Sequence, residues 1–272
     1  MPPLACDAHC HVFGPAAKFS YSADRAYTPP DAPKERLAAL HHILGIERAV
    51  IVQASCHGTD NRATLDAIAT SGGRYRGIAI VDDKFTDRDY ALLQEGGIRG
   101  VRFNFVKHLG GMPDMNVFRR VVERIQPLGW HLVVHLDAAD IVELGEIFRK
   151  LTLPFIIDHM GRVKAAGGLG QPAFRALLEL MKLENCWVKV CGSERVSSAG
   201  PPFLDAVPFA QALVTAAPHR VLWGTDWPHP NIARHMPNDG DLVDLVPLIA
   251  PTEELREKVL VENPAKLYDF RG

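Results

Sequence analysis

The segment Asp7-Ala8-His9-Cys10-His11 ends the first apolar run of the chain and carries two imidazoles two positions apart. Alternate residues of a β-strand share a face, so His9 and His11 are expected to point together into one polar site. Alone, His-x-His is a common surface pattern. Its counterpart lies near the other terminus, where the run Val221-Leu222-Trp223 stops at Gly224-Thr225-Asp226-Trp227-Pro228-His229. If both strand ends open on one mouth, the histidines and Asp226 form a site.

Between these segments, short β-branched runs alternate with longer amphipathic ones, the pattern of parallel strands joined by crossover helices. Strands are predicted at Cys6 to Val12, Ala49 to Ala54, Gly77 to Val81, Gly100 to Phe105, His131 to Leu136, Phe155 to Asp158, Cys186 to Val190 and Val221 to Gly224. Helical patterns fall between most of them, from Pro33 to Leu44 through Asp205 to Ala216, and Glu253 to Tyr268 reads as a closing helix interrupted at Asn263-Pro264. Eight strands with interleaved helices predict an α/β fold, a (β/α)8 TIM-like barrel formed by residues 1–272 as one domain. An open doubly wound sheet is the competing arrangement, but no Gly-x-Gly-x-x-Gly turn follows the first strand.

In such a barrel, chemistry collects at the C-terminal strand ends. Those ends carry His9 and His11; Ser55, Cys56 and His57; Asp82 and Asp83; Arg102 and Asn104; His135; Asp158 and His159; Arg195; and Asp226. Imidazoles can bind a divalent metal or donate to a developing oxyanion, and a carboxylate can take a proton from water. Asp226 is the expected base, and Asp158 is expected to orient His159 or its loop. Arg102, set among Val101, Phe103 and Phe105, is expected to face the barrel interior. Long connections from Phe13 to Asp31, Arg162 to Gln171 and His229 to Asp241 are candidate loops over the mouth.

Thirty basic and 32 acidic residues leave a net charge of -2, which recommends neither nucleic acid nor an anionic membrane as partner. No apolar run reaches the roughly 18 residues that span a bilayer, and Met1-Pro2-Pro3-Leu4 lacks signal-peptide character, so a cytoplasmic protein is expected. Five cysteines, an odd number, fit buried free thiols better than a disulfide framework. Cys10 and Cys56 lie near the predicted site, and a nucleophilic thiol there is the lesser alternative.

Five blocks resemble the amidohydrolase superfamily, and within it the 2-pyrone-4,6-dicarboxylate lactonases: Asp7 to Pro15, Val52 to Asn61, Gly100 to Phe105, Ile157 to Arg162 and Trp223 to Asn231. The resemblance implies a (β/α)8 barrel that cleaves a cyclic ester with water. By it, His9, His11 and His159 polarise the lactone carbonyl and Asp226 activates water, while Tyr27, Ser55, Arg102, Arg195 and Asn231 hold substrate carboxylates. A guanidinium fork pairs with a carboxylate bidentately.

Two positions depart from the lactonase pattern. Lys107-His108 stands where a second arginine is usual, and His135 where a tyrosine is usual. The lactonases are regarded as metal-independent, but His9, His11, His135 and Asp226 restore a set suited to one divalent ion, zinc by donor chemistry; alternatively His135 donates a hydrogen bond to substrate. The expected reaction is hydrolysis of a small anionic lactone, a 2-pyrone dicarboxylate or a related muconolactone, as in aromatic catabolism. The alternatives are a metal-dependent sulfomuconolactone-type hydrolase and a non-hydrolytic decarboxylase or isomerase on the same barrel.

Overall fold

The computed structural model describes residues 1–232 and 235–270, so Ala233 and Arg234 of the third candidate loop, and the last two residues, lie outside the description. Eight strands form one parallel sheet in sequential order: β1 (Cys6–Cys10), β2 (Arg48–Val52), β3 (Tyr75–Ala79), β4 (Ile98–Asn104), β5 (His131–His135), β6 (Phe155–Ile157), β7 (Cys186–Lys189) and β8 (Val221–Leu222). All eight predicted strands are present, each ending one or two residues early. His11, Asp158 and Gly224 therefore lie just past their strands, where the backbone is free to turn into the site.

The crossovers are helical, as at Lys34–Leu44, Asp87–Glu95, Met115–Ile125 and Ala138–Arg149. Local signals set their starts. Thr86 accepts from the Asp89 backbone while the Asp89 carboxylate accepts from Thr86, a capping box that satisfies two otherwise orphaned donors. The closing segment differs from expectation. Asn263-Pro264 does not break it, because a π-helical turn at Lys258–Glu262 widens the coil just before Pro264, which has no N–H to give, and helix resumes over Asn263–Tyr268.

The core has two layers. Cys6, Ala8, Val50, Val52, Ile78, Val133, Ile156, Trp187 and Leu222 fill the barrel, with Tyr268 and Phe270 packed onto them. Outside the sheet, Phe118, Phe148, Phe155 and Phe174 are buried in the larger cluster shared with the helices. Each such side chain contributes roughly 1.5–3 kcal/mol by leaving water.

The seam between β1 and β8 places the predicted site. Backbone bonds run from Ala8 N to Trp223 O (2.8 Å), Asp226 N to His9 O (2.7 Å) and His11 N to Trp227 O (2.8 Å). Asp7, fully buried, accepts from the backbones of His9 (3.1 Å) and Thr225 (3.0 Å), from Thr225 Oγ1 (2.6 Å), and lies 3.1 Å from His41 Nε2. Gly224 is required by this closeness, since a Cβ there would stand 2.5 Å from the His9 nitrogen. Among the described residues, no helix is long and apolar enough to cross a membrane.

Candidate active site

Two imidazoles from the first strand end and one from beyond the sixth strand surround one carboxylate oxygen. His9 Nε2 lies 3.5 Å, His11 Nε2 3.2 Å and His159 Nε2 3.9 Å from Asp226 Oδ1. All four side chains are at most 3% exposed. β1 aims His9 and its end aims His11, as the alternation predicts. His159 follows β6 in a left-handed turn, with φ of 51° at His159, 51° at Met160, 64° at Gly161 and 52° at Arg162. Asp226 likewise has φ of 65°. Non-glycine residues in this region cost about 1–3 kcal/mol each and persist where surrounding contacts over-determine them.

The far side of each ring is engaged. His11 Nδ1 donates to the Val52 carbonyl (2.8 Å), which can only accept, so Nε2 is the atom left for the site. His159 Nδ1 is 3.2 Å from Cys191 Sγ. His9 Nδ1 meets Lys189 Nζ at 3.0 Å and Asp158 Oδ1 at 3.3 Å. Burial, then the neighbouring Lys189 charge, lowers the His9 pKa to about 4, and burial holds His135 and His159 well below the ordinary histidine range. Burial thus favours the neutral form of His9, His135 and His159.

Asp226 stays ionised. Burial pushes its pKa up, but Arg195 and then the neighbouring histidines outweigh that and hold it well below the carboxylate range. Arg195 grips Asp226 Oδ2 through Nε (2.7 Å) and Nη2 (2.5 Å), and also donates to Pro230 O (2.9 Å). Beside it, Glu194 is pushed up to about 7 by burial and by the Asp226 charge.

The cluster floors a narrow recess lined by Tyr27, Ser55, Arg102, His108, His135, Arg162, Arg195 and Asn231 as well as by His11, His159 and Asp226. Above it, Tyr27, His108, Arg162, Arg195 and Asn231 also line a cavity of about 370 Å³. A separate cavity of about 390 Å³, lined by Met1, Pro3, Val246, Arg256 and Leu260 among others, shares no residue with the histidines. Chemistry belongs to the recess.

Most of the predicted substrate-binding residues therefore gather in one place. Lys107 does not: its side chain is exposed and lines neither part of the pocket, although its backbone N–H reaches Asp137. His135 lines the recess, with Nδ1 3.0 Å from Asn104 Oδ1 because the two residues are paired in the β4–β5 register. Asp158 is not the partner of His159. It forms a buried cluster with His9, Lys189 (3.3 Å) and Arg102 (3.3 Å), since β1, β4, β6 and β7 all converge there. Cys10 and Cys56 are buried, and burial raises both thiols, Cys56 to about 11, which opposes a nucleophilic role.

Sequence reasoning missed Lys189, Cys191, Glu194 and Arg162. A lysine inside Trp187-Val188-Lys189-Val190 was the available signal, because a charge within a barrel strand must find a partner.

The metal set gains His159. Donor atoms of His9, His159 and Asp226 lie within 4.8 Å of one another, and His11 Nε2 faces the same Asp226 oxygen, while His135 lines the same recess with its Nδ1 on Asn104. With Nδ1–H committed to Val52, His11 turns a lone pair toward a carboxylate oxygen, a contact that needs a proton or a cation between the atoms. The Nδ1–H to carbonyl bond is also the usual support of a metal-ligating histidine. In donor chemistry this revised set fits a divalent ion of the zinc type.

Residues 6–270 match the amidohydrolase family model. A 2-pyrone-4,6-dicarboxylate hydrolase of Comamonas testosteroni is 47% identical, the alignment covering 98% of this chain and 91% of that protein. A 4-sulfomuconolactone hydrolase of Hydrogenophaga intermedia is 44% identical over 98% and 89% of the two chains. A solved structure of a candidate 2-pyrone-4,6-dicarboxylic acid hydrolase from Pseudomonas putida superposes with a TM-score of 0.87 at 32% identity, covering both chains fully. With the family model spanning nearly the whole chain and such relatives aligned end to end, the protein belongs to the amidohydrolase family.

Proposed function

We propose that this protein hydrolyses a small anionic lactone of the 2-pyrone-4,6-dicarboxylate or muconolactone kind, opening the ring to the open-chain acid in the catabolism of aromatic compounds. The observation that carries this reading is the packing of three imidazole Nε2 atoms within 3.2–3.9 Å of one Asp226 oxygen, beneath a recess lined by Arg102, Arg162 and Arg195. Three guanidiniums at the recess suit acidic substituents, and the imidazole cluster suits an ester carbonyl that gains negative charge.

In the proposed reaction, the arginines fix the carboxylates and set the ring carbonyl against the histidines. Asp226 takes a proton as water adds to the carbonyl carbon, and His9 and His159 stabilise the oxyanion. The ring C–O bond then breaks, its oxygen taking up a proton, and the new carboxyl group ionises. Tyr27, Ser55, His108, His135 and Asn231 orient the substrate by neutral contacts. One divalent ion, with zinc as the preferred identity, would be held by His9, His11, His159 and Asp226, and when bound it supplies Lewis acidity at the carbonyl and acidity to water.

The same proposal takes the chain as one catalytic domain of the cytoplasm, without nucleic-acid or membrane partners. Five unpaired, buried cysteines and the near-neutral charge balance support that setting. Titrating acid release at constant pH across a panel of lactones tests the reading. One acid equivalent per dianionic lactone opened is expected, and turnover confined to isomerisation or loss of CO2 would overturn it.

A further inference from the structure

Lys189 has no counterpart in the proposed chemistry, yet it is fully buried and its Nζ lies 3.0 Å from His9 Nδ1. Asp158 Oδ1 lies 3.3 Å from that same nitrogen and 3.3 Å from Nζ. The His9 nitrogen therefore faces a group that only donates and a group that only accepts. Bonding to one or the other decides where the single proton of a neutral imidazole resides. If Nδ1 donates to Asp158, Nε2 offers a lone pair, the form that ligates a metal. If Lys189 donates to Nδ1, Nε2 carries the proton and can donate to a carbonyl oxygen.

Three features favour the second state. Lys189 is nearer, and Asp158 already has Lys189 and Arg102 as cationic partners, with Arg102 Nε 3.3 Å from its other oxygen. His9 Nε2 points toward Asp226 Oδ1 at 3.5 Å, where a lone pair would face a carboxylate and a proton would not. We infer that Lys189 is a positioning residue that holds His9 in its Nε2–H tautomer, making His9 an oxyanion donor and keeping the histidine cluster a weak, exchangeable site for a divalent cation. This deepens the proposed function and rests on the cluster being its reacting centre.

The test is ¹⁵N nuclear magnetic resonance of histidine-labelled protein at neutral pH, with the His9 signals identified by their loss in His9→Gln. The wild type is expected to show a protonated Nε2 and a bare Nδ1. In Lys189→Met, which removes the donor but leaves Asp158, the proton should move to Nδ1, and zinc affinity measured by chelator competition should rise at least tenfold. A wild-type spectrum with the proton on Nδ1 overturns the inference, whether or not the variant folds. So does a folded variant with an unchanged tautomer or unchanged zinc affinity. Because neither readout uses turnover, a failed lactone panel with the expected spectra would sink the proposed reaction and leave the role of Lys189 standing.

Discussion

Arg195 donates through Nε (2.7 Å) and Nη2 (2.5 Å) to Oδ2 of Asp226, so the guanidinium expected to grip the substrate is the one that restrains the proposed base. A carboxylate held this way is ionised but weakly basic, and general-base efficiency falls as basicity falls. A substrate carboxylate that draws part of Arg195 away would raise the basicity of Asp226 as it binds. Substrate binding and base activation would then be one event.

Asp226→Asn keeps the shape and removes the proton acceptor. Turnover of the dianionic lactone is expected to fall by roughly 10²-fold to 10⁴-fold, the range for general-base loss. Calorimetric titration should still detect substrate binding. Near-normal turnover in the variant would mean that another group accepts the proton.

Arg195→Met should produce two separable effects. Loss of a desolvated anion partner costs roughly 2–5 kcal/mol of binding for charged substrates. Since Arg195 holds the Asp226 pKa down, its removal should raise that pKa and move the acid limb of the kcat/KM profile to higher pH. A limb that stays in place would show that Asp226 is not the group reported by it.

Arg102→Met separates substrate recognition from scaffolding. A carboxylate clamp predicts a larger loss of kcat/KM, by roughly the same 2–5 kcal/mol, for a dianionic lactone than for an uncharged one. Equal losses would assign Arg102 to the Asp158 cluster alone, which it also joins at 3.3 Å.

These residues also show what a linear sequence displays. His9 and His11 were legible because strand period fixes their shared direction, and Asp226 because an apolar run stops at it. Arg102 was legible as a charge in a buried strand. Lys189 escaped, although its setting is the same, because its partners are contributed by β1 and the end of β6, and nothing local indicates that two loci so far apart in sequence meet. Asp158, read as orienting His159 or its loop, has its ion partners elsewhere, at His9, Arg102 and Lys189, since neighbours in sequence diverge where the chain enters the left-handed turn at His159. His135 lines the recess, where register with Asn104 fixes its Nδ1.

Asp7 should dominate the stability of the barrel seam. Asp7→Ala removes the acceptor of Thr225 and the partner of His41, and breaking such a buried pair costs about 3–5 kcal/mol. Burial raises the Asp7 pKa, but His41 and Thr225 outweigh it and hold the folded value below the ordinary one. Its contribution is thus complete above the unfolded carboxylate pKa and is lost as pH falls through the folded value. Denaturant melts should show the difference between wild type and variant shrinking only below about pH 4. A difference constant down to acid unfolding would remove the charge from the explanation.

The metal question turns on which histidines share the ion. His9, His159 and Asp226 group together, and His11 faces the same Asp226 oxygen, whereas His135 places its Nδ1 on Asn104. His11→Ala should therefore abolish divalent-ion binding, while His135→Tyr should leave it within a few-fold and chiefly raise KM. A bound ion stabilises by mass action, so a chelator ought to lower the melting temperature of the wild type and of His135→Tyr alike, and have no effect on His11→Ala. Elemental analysis of protein purified without chelator supplies the stoichiometry. Equal loss of metal from both variants would restore His135 to the ligand set, and no metal with no chelator effect in the wild type would leave the imidazoles acting as hydrogen-bond donors alone.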